Sequence, residues 1–185
     1  MGSSLETVVP EAPLERGEAA LVPAGEGWFV VNARDVEWVS FGGSGVSTRF
    51  EGPRELFTDL GIGLEVLGPG EPMAMYHAED AQEGFLVLSG EAVLIVEGEE
   101  RALRAWDYVH CPASTAHVVV GAGTGPCVVL AVGARRPGRA IRYPADEIAI
   151  RHGAGVAQET SDPREAYAGF PAPQIVPCPE ELPDL

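Results

Sequence analysis

Residues 70–90 read GEPMAMYHAEDAQEGFLVLSG, and how this stretch is laid out decides the fold. His77 and Glu79 stand two residues apart, so on an extended backbone their side chains leave the same face. Glu83 follows after a short polar turn, at the head of the apolar run Phe85–Leu88. One hairpin therefore aims three ligand-type side chains at one point. The other half lies in residues 106–121, where Pro112, a tight turn through Ala113 and Ser114, and His117 lead into Val118, Val119 and Val120. His117 is the expected fourth ligand.

Outward from these two segments the chain reads as β-strand. Ile62–Leu67, Phe85–Leu88, Ala92–Val96, Arg101–Leu103, Asp107–Cys111, His117–Val120 and Cys127–Val132 follow one another at intervals of about ten residues. They are separated by Pro69-Gly70, Ser89-Gly90, Gly98-Glu99, Pro112–Ser114 and the run Gly121–Pro126. That cadence predicts an all-β barrel or sandwich. WFVVNA (28–33), VEWVSF (36–41) and Val46–Phe50 predict three earlier strands. Pro53–Leu60, closed by Gly61, predicts two turns of helix with Pro at the first helical position.

At this point the chain resembles a known family, the cupins. Their first motif runs Gly, five residues, His, one residue, His, three or four residues, Glu, six residues, Gly. Gly70, His77, Glu83 and Gly90 follow that order, with six residues rather than five after Gly70. Their second motif runs Gly, five residues, Pro, one, Gly, two, His, three, Asn. Pro112 and His117 match it, while Trp106, Ser114 and Gly121 stand where the family has Gly, Gly and Asn. Glu79 stands in place of the second histidine, which exchanges an imidazole ligand for a carboxylate. The resemblance covers roughly residues 60–134. It implies a double-stranded β-helix, the jelly-roll barrel with one open end, and a tendency to dimerise.

Around that barrel the expected organisation is an N-terminal arm over residues 1–20, the barrel over 21–140 and a C-terminal extension over 141–185. Met1–Gly17 is polar and carries Pro10 and Pro13, so it reads as an extended or disordered arm. The extension holds two expected short helices, Pro144–Arg151 and Pro163–Tyr167. Asp162 is placed to cap the second, with Pro163 at its first position and Glu165 where a capping-box carboxylate belongs. Pro171, Pro173, Pro177, Pro179 and Pro183 make the tail extended, wrapping the barrel or a second subunit. With no internal repeat, one barrel is expected rather than two.

Composition excludes several classes of function. The 185 residues carry 28 acidic side chains against 12 basic ones, a formal charge of -16, and every basic residue is Arg. A polyanion would be repelled, so nucleic acid is not an expected partner. Without lysine there is no Schiff-base chemistry and no P-loop cation. Cys111, Cys127 and Cys178 have neither metal-type spacing nor an even count for a disulfide framework. Glu6, Glu11 and Glu15 stand where a signal peptide would be basic, and the longest apolar run, Cys127–Val132, is too short for a bilayer. A cytoplasmic protein with no membrane partner, a homodimer acting on or binding a small molecule, is the expectation.

His77, Glu79, Glu83 and His117 suit a first-row divalent ion, with Zn, Fe, Mn and Ni all open. Gln82 is a rival to Glu83, one residue off and facing the other way. Beyond the ligands, the acid–base candidates are Tyr76, Tyr108, His110 and Asp107, and none is assigned a catalytic role. Val109 and Cys111 are expected to take the core, leaving His110 outside. Gly121–Pro126 has the glycine count of a phosphate loop, but a strand follows it, so it reads as a hairpin loop. Arg135, Arg136, Arg139 and Arg142 read as balancing the acidic surface, with an anionic substrate as the alternative. Met73 and Tyr76 read as wall residues at the metal's mouth. The resulting expectation is an enzyme of dioxygenase or isomerase type acting on a metal-coordinated polar molecule. The alternative is a non-catalytic cupin that binds or senses a small ligand or metal.

Overall fold

The computed structural model of the chain describes residues 8–17, 20–51 and 57–182. Its strands are β1 (Leu14–Arg16), β2 (Leu21–Pro23), β3 (Trp38–Ser40), β4 (Val46–Arg49), β5 (Leu60–Leu67), β6 (Ala78–Glu79) and β7 (Glu83–Ser89). They continue as β8 (Glu91–Val96), β9 (Glu99–Arg104), β10 (Tyr108–Cys111), β11 (His117–Ala122), β12 (Cys127–Ala134) and β13 (Ile141–Arg142). Helices α1 (Glu147–Arg151) and α2 (Pro163–Ala166) follow, then β14 (Gln174–Val176). This is an all-β fold of the double-stranded β-helix type, with short helices near the C-terminus.

Two sheets make the barrel. One runs β10-β7-β12-β5-β4-β3-β14 and the other β11-β8-β9, while β13 and β6 form a short pair at the mouth. Alternation along each strand decides what faces inward. Leu67, Phe85, Val87, Leu94, Val119 and Val129 meet in one buried cluster between the sheets. Their neighbours of opposite parity, Leu64, Val66 and Val128, face outward under Trp38 and Leu182, so the tail covers that sheet. On the other sheet Ile95, Val118 and Val120 are covered by Ala149 of α1. Core sequences here are apolar on both faces because both faces are covered.

Turn chemistry matches the strands. Glu97 and Gly98 both have positive φ, 48° and 76°, as a two-residue hairpin between β8 and β9 requires. Asp146 caps α1 by accepting from Ala149 N, and Asp162 caps α2 by accepting from Arg164 N behind Pro163. Glu165 does not complete a capping box; its carboxylate takes the Thr160 hydroxyl instead.

Several expectations are corrected. WFVVNA forms no strand, because Val30 and Trp28 are exposed and the segment has only an isolated bridge, Trp28 to Glu11. The described part of the N-terminal arm is ordered by the β1–β2 hairpin; its first seven residues lie outside the described residues. Half of the expected helix at Pro53–Leu60, residues 53–56, lies outside the described residues, and the other half is not helical, since Leu60 already opens β5. Gly121–Pro126 is not a hairpin loop either: β11 pairs with β8, and β12 with β5 and β7, so it crosses between sheets. The proline-rich tail is extended as expected and adds β14 to β3. No helix among the described residues is long and apolar enough to cross a membrane.

Candidate metal centre

His77 and His117 lie directly opposite each other, joined by two backbone hydrogen bonds, His77 N to His117 O at 3.1 Å and the reverse at 2.9 Å. Their side chains therefore emerge side by side. Each ring is turned by its own backbone: Nδ1 of His77 is 2.7 Å from Met75 O, and Nδ1 of His117 is 3.0 Å from Thr115 O. A carbonyl oxygen only accepts, so both Nδ1 atoms donate, and both Nε2 lone pairs are left facing inward. Glu83, the first residue of β7, comes from the facing sheet. Its Oε2 stands 3.3 Å from His117 Nε2 and 3.7 Å from His77 Nε2. The three ligand atoms lie within 4.8 Å of one another.

His117 is 1% exposed, yet its Nε2 has no hydrogen-bond partner. A buried polar atom in that state costs about 1–3 kcal/mol unless something satisfies it. Two neutral imidazoles and a carboxylate with their lone pairs converging, each ring fixed through its other nitrogen, fit a first-row divalent ion.

The electrostatics agree. Burial, helped by the neighbouring His77, holds the pKa of His117 below its ordinary value. For His77 burial also works against the charged form, but the Glu83 carboxylate outweighs it and raises the pKa. For Glu83 burial pushes upward, and the two imidazoles with Arg139 bring the net shift below the usual carboxylate range. A bound ion would favour the forms that ligation needs, a neutral His77 and an ionised Glu83.

Glu79 stands beside this cluster rather than in it. It is 6% exposed, and its Oε1 is 3.8 Å from His77 Nε2. Its Oε2 lies 2.9 Å from Arg139 Nη1, but the angle is not that of a hydrogen bond, so this is a charge contact that leaves the oxygen otherwise unpartnered. Of the four side chains expected from the sequence, three converge and the fourth faces an arginine. Gln82 is exposed, which removes it as a rival to Glu83.

A cavity of about 370 Å³ opens beside Glu83, walled by Gly61, Gly63, Ala131 and Gly133 together with Phe85. Arg49, Arg135, Arg136 and Arg139 line it as well. The arginine run thus reaches the site rather than simply balancing surface charge. The chain turns back over the mouth, where Ile141 pairs with Glu79 and Arg142 with Ala78. Arg135 is paired with Glu51, and Arg136 donates to Asp80 O at 3.3 Å.

Glu65 also lines this cavity. It was not among the expected acid–base residues, while the four that were lie elsewhere. Tyr76 packs under α1, Tyr108 and His110 are exposed on the outer face of β10, and Asp107 accepts from Arg104 N in a turn. Met73 does pack against the barrel core. Glu65 shares the inner face of β5 with Gly63 and Leu67. Burial pushes its pKa up to about 8, against the pull of Arg49, so it is a neutral acid at pH 7. Cross-strand register puts it two strands and four residues from Glu83, or about 16 Å between α-carbons on a flat sheet. A single glutamate inside the apolar strand Leu60–Leu67, in step with inward-facing Leu67, was the available signal.

Residues 63–133 match the family model described as Cupin domain. This part of the chain is a cupin domain. A sugar phosphate isomerase of the cupin superfamily from Silicibacter pomeroyi is similar over 71% of this chain and 82% of its own, at 24% identity and TM-score 0.51. The polyketide cyclase RemF from Streptomyces resistomycificus is similar over 60% and 82%, at 17% identity and TM-score 0.51. A proposed sugar phosphate isomerase from Acidithiobacillus ferrooxidans shares 29% identity over 45% of this chain, which spans 55% of that protein, with TM-score 0.43. The two likenesses at TM-score 0.51 show the fold alone. No curated protein matches the chain.

Where this cupin departs from the motif glycines, the backbone keeps their conformation. Trp106 and Ser114 have φ of 76° and 73°, in the same left-handed region as Gly70 and Gly90. That region disfavours a side chain, which accounts for the family's glycines there.

Proposed function

We propose that this cupin is a metal-dependent enzyme that moves protons on a small oxyanion-bearing molecule chelated at His77, Glu83 and His117. The observation that carries the reading is that one cavity holds Glu83 of the ligand cluster, four arginines and a neutral carboxylic acid. When bound, the divalent ion supplies Lewis-acid polarisation of a substrate oxygen. Arg49, Arg136 and Arg139 offset the charge of a phosphate or carboxylate group, with guanidinium forks suited to its paired oxygens. Glu65, too distant to touch the atoms at the ligand cluster, donates a hydrogen bond or a proton to the far end of the molecule. Gly61, Gly133 and Ala131 at inward positions of β5 and β12 leave the room, and Phe85, with its ring 5.2 Å from that of His117, keeps one wall dry. Isomerisation or elimination next to a carbonyl is the reaction class this set serves.

The experiment is solvent proton exchange. Metal-loaded protein in deuterated water is mixed with a panel of phosphorylated and carboxylated hydroxy-ketones and followed by proton NMR. Catalysed loss of a carbon-bound proton from at least one member is the expected result. No exchange across the panel overturns the enzymatic reading and favours a binding cupin.

A further inference from the structure

Glu79 stands between the His77 imidazole and the Arg139 guanidinium. The ligand atoms of His77, Glu83 and His117 lie within 4.8 Å of one another, whereas Glu79, with Oε1 3.8 Å from His77 Nε2, stands outside that group. What holds it is Arg139, 2.9 Å from Oε2. The strap that carries Arg139 is anchored to the same hairpin. Asp80 N donates to Ala140 O and Ala140 N to Asp80 Oδ1, each at 3.1 Å, and Ile141 pairs with Glu79.

The Arg139 side chain itself is open. It is 45% exposed and lines the cavity beside Glu83, and its hold on Glu79 lacks hydrogen-bond geometry. Arg135 and Arg136 are tied elsewhere, to Glu51 and to the Asp80 carbonyl. An oxyanion entering the cavity therefore meets in Arg139 a guanidinium whose present partner is a metal-type ligand.

We propose that Glu79 and Arg139 form an exchange switch. An oxyanion that takes Arg139 frees Glu79 to join His77, Glu83 and His117 on the metal, so anion and metal strengthen each other's binding. This rests on the metal reading above. Linkage makes the effect reciprocal, and couplings of this kind commonly span 5- to 150-fold. The sign separates the switch from an ordinary supporting contact. Removing a partner that merely orients a ligand weakens metal binding by about 10- to 100-fold, whereas removing a competitor tightens it.

The test is calorimetric titration of Mn(II) into the metal-free full chain, in chloride and in sulfate at equal ionic strength, with sulfate as the oxyanion probe. In the wild type, sulfate is expected to lower the Kd for Mn(II) about tenfold. Arg139→Gln should bind Mn(II) about tenfold tighter than wild type in chloride and lose the sulfate response. Arg139→Lys, which keeps a cation on the strap, should retain part of it. Glu79→Gln should bind weakly in both salts. Weaker Mn(II) binding by Arg139→Gln, or a sulfate-insensitive wild type, overturns the switch while leaving the metal site standing. A wild type that binds no Mn(II) at all overturns the metal reading and the switch together.

Discussion

The mouth and the floor of the barrel are built from the same strands with opposite residue choices. Read from the mouth inward, β7 offers Glu83, Phe85 and Val87, and β12 offers Gly133, Ala131, Val129 and Cys127. Along β11 His117 gives way to Val119, and along β5 Gly61 and Gly63 give way to Glu65 and then Leu67. Every one of these side chains has inward parity, so strand geometry does not distinguish the two ends. The floor is filled with large apolar groups, and the mouth with small residues and ligands. Stability is concentrated at the floor and chemistry at the mouth, which keeps polar groups off the best-packed part of the core.

Substitution at each end should separate the two. The largest effect belongs to the mouth: His77→Ala with His117→Ala removes two of the three converging ligands and should take metal content from about one ion per chain to none. Elemental analysis of protein whose circular dichroism remains that of β-sheet checks it. At the floor, Leu67→Ala should cost about 3 kcal/mol of stability, since Leu67 is fully buried and its neighbours can close only part of the cavity. Urea denaturation reads this, with metal stoichiometry expected to stay at the wild-type value.

The floor was the more legible part of the sequence. Strands from Ile62 to Val132 could be placed because apolar residues there alternate or run continuously between turn residues, and Val109 and Cys111 face inward as that parity required. Two side chains of the converging cluster could be placed together because their spacing is local: His77, Glu83 and the turn between them lie within seven residues, and His117 faces them across a bridge. Arg139 could not, because its place depends on a two-residue pairing of β13 with β6 that leaves no pattern in the chain. WFVVNA failed for the opposite reason. Its composition suits a strand, but a strand exists only where a partner edge is free. Glu65 has a legible signal, since it lies within the apolar run Ile62–Leu67 at the parity of inward-facing Leu67.

Glu65 is the one charged-type residue among the inward positions traced down β5, and it should give the fold a pH dependence. Its pKa is about 8 in the folded chain against an ordinary 4.5. Between those values the folded chain holds a proton that the unfolded chain releases, so stability falls as pH rises through that window. Because the side chain is only partly buried and lines a cavity, the loss is discounted to about 2 kcal/mol. Glu65→Gln cannot ionise and should flatten that part of the slope, leaving the variant more stable than wild type at pH 8. Parallel denaturation curves at pH 5 and pH 8 decide it. An unchanged slope in Glu65→Gln would mean the carboxylate is ionised in the fold.

The smallest effect on stability is the one that most sharpens the contrast between mouth and floor. Gly63 and Gly133 both look like positions kept small for the ligand, but their surroundings differ. A Cβ on Gly63 would stand 2.5 Å from the Thr48 carbonyl oxygen, so the neighbouring strand would have to move. At Gly133 the nearest atom would be Glu83 Cγ at 3.8 Å, an ordinary contact. Gly133→Ala should therefore change stability by no more than about 0.5 kcal/mol. Its methyl would still take space beside the Glu83 carboxylate, where the ligand is expected to sit. Sulfate binding to the Mn(II)-loaded protein should weaken while the unfolding midpoint stays in place. If the midpoint moved and sulfate binding did not, Gly133 would be a packing residue like Gly63, and the room at the mouth would have to be attributed to Gly61 and Ala131 instead.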